Sequence, residues 1–100
     1  MEKTINLGDI VIKKLYAGTY SVYILGVESC WLNSTQLKKT SEIAQSHHDM
    51  WTIPNDIDDS LGVRKSIQLY KLALSLGMNE HEDVTYWVRD YIVEKIRENG

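Results

Sequence analysis

One cysteine, one proline and no long hydrophobic run set the first limits on this chain of 100 residues. Cys30 has no second thiol to pair with, which excludes an internal disulfide and leaves too few thiolates for a cysteine-based zinc site. No apolar stretch approaches the length of a membrane span, and the start, Met1-Glu2-Lys3-Thr4-Ile5-Asn6, lacks the apolar segment of a secretory signal. The expectation is a cytoplasmic protein without membrane association. The match of Asn33-Ser34-Thr35 to a glycosylation sequon then carries no meaning. Low-complexity and like-charge runs are also missing, so nothing in the composition calls for a disordered tail.

What is present is an average globular composition, 43% hydrophobic and 25% charged, at a length suited to one domain. The formal charge of −3 is unevenly placed. Residues 1–54 balance five bases against five acids, and the rest carries six bases against nine acids. A surface of that sign gains no counterion-release affinity for a phosphate backbone. The balance therefore favours a protein partner, or a second copy of the chain, over nucleic acid.

The hydrophobic period changes partway along. Ile5 and Leu7 alternate with polar neighbours, Gly8-Asp9 interrupts them, and Ile10-Val11-Ile12 resumes. After Gly18, residues 19–27 form a run rich in β-branched and aromatic side chains, and residues 29–32 supply a short third strand. Residues 33–46 read as a short exposed helix or turn, and residues 47–60, with Pro54, as a connector. From Leu61 the period becomes helical. Val63, Ile67, Tyr70, Ala73 and Leu74 share one side while Leu69, Leu72 and Leu76 widen the apolar arc, which predicts a central helix covered on both sides and capped by Gly77. Asn79 and Glu82 read as the capping box of a last helix whose apolar stripe is Val84, Trp87, Val88, Tyr91, Ile92 and Ile96. The fold class is thus α+β: an antiparallel sheet of two to four strands (residues 1–46, mainly β) packed against a C-terminal antiparallel helical hairpin (residues 61–98). The succession from Gly8-Asp9-Ile10-Val11 through the aromatic strand to Cys30-Trp31-Leu32 resembles small SH3-like barrels, which implies a barrel-like sheet.

Several constellations invite chemistry. His47, His48 and His81 stand in acidic company and could converge on a metal, but adjacent histidines diverge on either a strand or a helix, and solvated polar residues explain them as well. Asp56-Ile57-Asp58-Asp59 lacks the spacing of a calcium loop and reads as helix capping. Cys30 has no recognisable base beside it, and free cysteines usually behave as small buried hydrophobes. The expectation is therefore no catalytic residue, no metal and no cofactor. Tyr16, Tyr20, Tyr23 and Trp31, with Lys13 and Lys14, could stack bases on the sheet, which makes nucleic-acid binding the alternative reading. On the last helix, Tyr86, Arg89, Val93 and Arg97 fall opposite the assigned stripe, and their composition is that of a partner-binding surface. The function expected is a non-catalytic protein-interaction domain, as a homodimer or as an inhibitor or accessory protein of a phage or other mobile element.

Overall fold

The computed structural model describes residues 3–33 and 47–99. Four strands, β1 (Lys3–Asn6), β2 (Ile10–Lys14), β3 (Tyr20–Ile24) and β4 (Val27–Leu32), are followed by two helices, α1 (His47–Ser75) and α2 (Val84–Asn99). The strands form an antiparallel meander in the order β1-β2-β3-β4. With the helices packed on it, this is the α+β arrangement that the change of period predicts. The sheet is open, and among the described residues no pairing closes β4 onto β1 to make a barrel.

Alternation divides the sheet cleanly. Ile10, Ile12, Val22, Ile24, Cys30 and Leu32 face the helices and are buried. The row Thr4, Lys13, Ser21 and Trp31 lies on the outward face, beside a second row of Asn6, Val11, Tyr23 and Glu28. A bulge between Val22 and Tyr23 shifts the β3–β4 register. Gly18 ends a 3-10 turn (Tyr16–Gly18) in the β2–β3 connection, as the sequence suggests. A second reversal is not where the sequence places it. The run of residues 19–27 breaks at Leu25-Gly26, both at positive φ (53° and 82°), the signature of a two-residue type I′ turn. Leucine rarely signals such a turn. Here it is pinned from two sides, its amide donating to the Asp9 carbonyl and its carbonyl accepting from Lys65 Nζ, each at 2.8 Å.

Residues 47–60, expected as a connector, form the first half of α1. Ile53, Ile57 and Leu61 recur every four residues and are buried, so packing outweighs the helix-breaking tendency of Pro54, which is itself buried. At Gly62 the backbone leaves the helical region (φ 72°, ψ 176°), and α1 changes direction there. Its second half presents Leu69 and Ala73 to the core, and α1 packs both with α2 and against β4. The helix ends in a Schellman motif: Met78 N–H donates to the Ala73 carbonyl and Gly77 N–H to Leu74, with Gly77 at φ 115°. The N-cap of α2 is Asp83 and not Asn79. Its Oδ1 accepts from Thr85 N (3.1 Å), Thr85 Oγ1 (2.8 Å) and Tyr86 N (3.4 Å), while Glu82 folds back onto the Asn79 amide at 2.9 Å in the turn before it. The short helix or turn expected between β4 and α1 lies outside the described residues.

Candidate interaction surface

The outward face of α1 beyond Gly62 is where the structure departs most from ordinary burial. Val63 is 81% exposed and Ile67 56%, one helical turn apart. With Val63 at 0° and about 100° per residue, Ile67, Tyr70 and Leu74 fall near 40°, 340° and 20°, one line at the 4-3-4 spacing of a helix-packing seam. The buried Leu69 and Ala73 lie near 240° and 280° on the same scale, a separate face. The C-terminal half of the line is taken up by the fold, since Tyr70 and Leu74 pack against the core and the Tyr70 hydroxyl donates to the Glu80 carbonyl at 3.3 Å. Val63 and Ile67 are the uncovered remainder. The sequence puts them on a covered side of a central helix, because apolar residues surround most of its girth; the structure turns that flank to solvent. Beside it runs a shallow cleft of about 520 Å³ lined by Asp58, Gly62, Val63, Ser66, Ile67 and Tyr70.

The face proposed from sequence on α2 is not one surface. Arg89 and Val93 are buried (6% and 4% exposed), Tyr86 is half-buried, and Arg97 is exposed. The phase is rotated because Trp87 and Tyr91, assigned to the core stripe, stack on each other at the flank (centroids 5.4 Å apart, planes 18° apart) and stay partly exposed. Thr85, Val88, Arg89, Ile92, Val93 and Ile96 form the true inner face. Arg89 reaches Asp90 Oδ1 through Nη2 at 2.6 Å, and its Nε has no hydrogen-bond partner among the described residues. The outward side of α2 carries Asp90, Glu94, Arg97 and Glu98.

On the outer sheet face, Glu28 accepts from the Tyr23 hydroxyl and from Trp31 Nε1, both at 2.8 Å, and Lys13 Nζ sits 4.9 Å from the centre of the Tyr23 ring. The Tyr23 hydrogen bond first, then that of Trp31, holds the Glu28 carboxyl below its ordinary value. The centre of this aromatic patch is therefore an anion, and one face of Tyr23 already has a cation. Tyr20, counted among the stacking candidates, is a core residue. Trp31 is half-exposed and Tyr16 almost fully so. An anion among the rings opposes a phosphate backbone, which weakens the base-stacking alternative.

Cys30 is buried under the helices, and burial first, with Asp56 adding to it, pushes its thiol up to about 12. A thiol held neutral is a poor nucleophile. His81 is exposed, and the side chains of His47 and His48 lie outside the described residues. Among the described residues no three histidine, cysteine or carboxylate side chains gather into a metal-binding group, and no helix is long and apolar enough to cross a membrane. Comparison with family models, curated proteins and solved structures finds no match to this chain.

Proposed function

We propose that this chain is a non-catalytic protein-interaction domain that docks through the second half of α1, acting as an inhibitor or accessory protein by occupying its partner. The observation that carries this reading is the pair Val63 and Ile67, aligned one turn apart on a face that none of the described residues covers. A single exposed aliphatic is ordinary. Two in line, continuing a packing seam whose other half is already in use, have no folding purpose where they stand. Contiguous exposed apolar surface of this kind marks association sites. Burying two such side chains contributes about 1.5 to 3 kcal/mol each, and flanking polar contacts supply orientation.

The test is affinity capture with three forms of the chain: wild type, Val63→Glu with Ile67→Glu, and Trp31→Ala on the sheet. Circular dichroism confirms that each is folded. The reading expects proteins, copies of the chain included, that the wild type and W31A retain and the α1 variant loses. Identical sets from all three forms, or losses confined to W31A, would refute it.

A further inference from the structure

Lys3, Lys14 and Tyr20 stand in register across β1, β2 and β3, one pleat beyond the row of Ile5, Ile12 and Val22. Strand alternation puts them on the inner face of the sheet, past the edge of the core and under the last turn of α2. There they line a cavity of about 50 Å³ with Ile5, Ile96 and Asn99, smaller and more enclosed than the α1 cleft. A single water needs about 10 to 15 Å³ on such a measure, so the cavity has room for one group of a few heavy atoms.

The polar groups around it are donors in search of acceptors. Lys3 and Lys14 oppose each other directly across the strands, a like-charge pairing that is unfavourable by itself, and among the described residues neither meets a carboxylate. Lys3 Nζ donates to the Asn99 carbonyl, which leaves two of its N–H groups, and all three of Lys14 are without a partner among the described residues. Tyr20 is only 8% exposed, yet its hydroxyl has no hydrogen-bond partner among the described residues and is not sealed from open space. We infer that this cavity binds the phosphate group of a small molecule. Two ammonium groups match a charge of about −1.5 to −2, and a tetrahedral anion accepts from both and from the phenol at once. A carboxylate leaves one lysine charge unmatched. The site is separate from the α1 face and does not depend on the reading given to it.

The experiment is titration of inorganic phosphate into the wild type, Lys14→Met, Tyr20→Phe and Lys71→Met at fixed ionic strength, read by calorimetry and by phosphorus NMR line broadening. Lys71→Met removes the same charge from α1 and does not line the cavity. Circular dichroism confirms that each form is folded. The wild type and Lys71→Met should bind one phosphate per chain saturably. Lys14→Met should weaken binding by about tenfold or more, the scale of a hydrogen bond to a charged group, and Tyr20→Phe should weaken it as well. Sulfate should compete, and chloride should not. O-phosphoserine separates the sources: tighter binding than inorganic phosphate assigns the site to a phosphate monoester, and weaker binding to the free ion, either of which supports it. No saturable binding at tens of millimolar phosphate overturns the site, and so does binding that Lys14→Met and Lys71→Met weaken alike, which is the mark of general charge attraction.

Discussion

Replacing Gly62 by alanine separates two shapes of α1 by the sign of one number. In the structure Gly62 sits at φ 72° and ψ 176°, a region nearly restricted to glycine. A Cβ built there meets nothing within 4 Å, so a steric clash with the rest of the molecule contributes nothing and only backbone strain remains. That strain is on the order of 1 to 3 kcal/mol. Alanine also restricts the unfolded chain, which returns about 0.4 to 1 kcal/mol. The net expectation is a loss of roughly 1 to 2 kcal/mol, which for a domain of about this size lowers the thermal midpoint by about 4 to 16 °C. A straight helix gives the opposite answer, because alanine in a helix interior is about 1 kcal/mol better than glycine. Urea denaturation and a thermal scan on Gly62→Ala decide between them. An unchanged or raised midpoint would mean that α1 runs straight through residue 62, and the direction assigned to the Val63–Ile67 face would be lost with the kink.

Other outcomes follow from the packing. Leu69→Ala, at a site 1% exposed, should cost about 2 to 5 kcal/mol, and Leu74→Ala, half-buried, clearly less; equal losses would contradict the assigned face. Arg89→Met should be neutral or stabilising by about 1 kcal/mol in urea denaturation, because it removes a buried charge whose Nε has no partner among the described residues and whose carboxylate neighbour is exposed; a large loss would show that the guanidinium is better satisfied than its geometry indicates. Glu28 is held below its ordinary value of 4.5, so its contribution is present above that pH and fades as the pH falls through the lowered value. Glu28→Gln should accordingly be less stable than the wild type near pH 7 and converge with it as the pH falls through the lowered value, and a gap independent of pH would remove the carboxylate from the account.

The general architecture was legible because strand alternation and the helical period from Leu61 are strong signals. Details set by tertiary contacts were not. The Leu25-Gly26 turn hides inside an apolar run, and its conformation is held by Asp9 and Lys65, which are distant in sequence. In the sequence the first half of α1 reads as a connector containing Pro54, although Ile53, Ile57 and Leu61 carry a four-residue repeat. On α2, hydrophobicity alone points Trp87 and Tyr91 inward, and only the structure shows them stacked on each other. That error rotates the whole helix and buries Val93 and Arg89. On α1 the sequence correctly showed more apolar surface than one core face needs. Which flank would stay open depended on where the sheet and α2 fall, and no local pattern encodes that.

The account turns on Val63 and Ile67 belonging to a partner and not to the core. The most direct measurement is the unfolding free energy of the double variant Val63→Ser, Ile67→Ser, at a chain concentration low enough that the wild type is monomeric. Exposed positions away from packing change stability by no more than about 0.5 kcal/mol, and that is the predicted result. A loss of about 2 kcal/mol or more, the cost typical of a core truncation, would place these residues in the folded interior and leave the interaction surface without its centre.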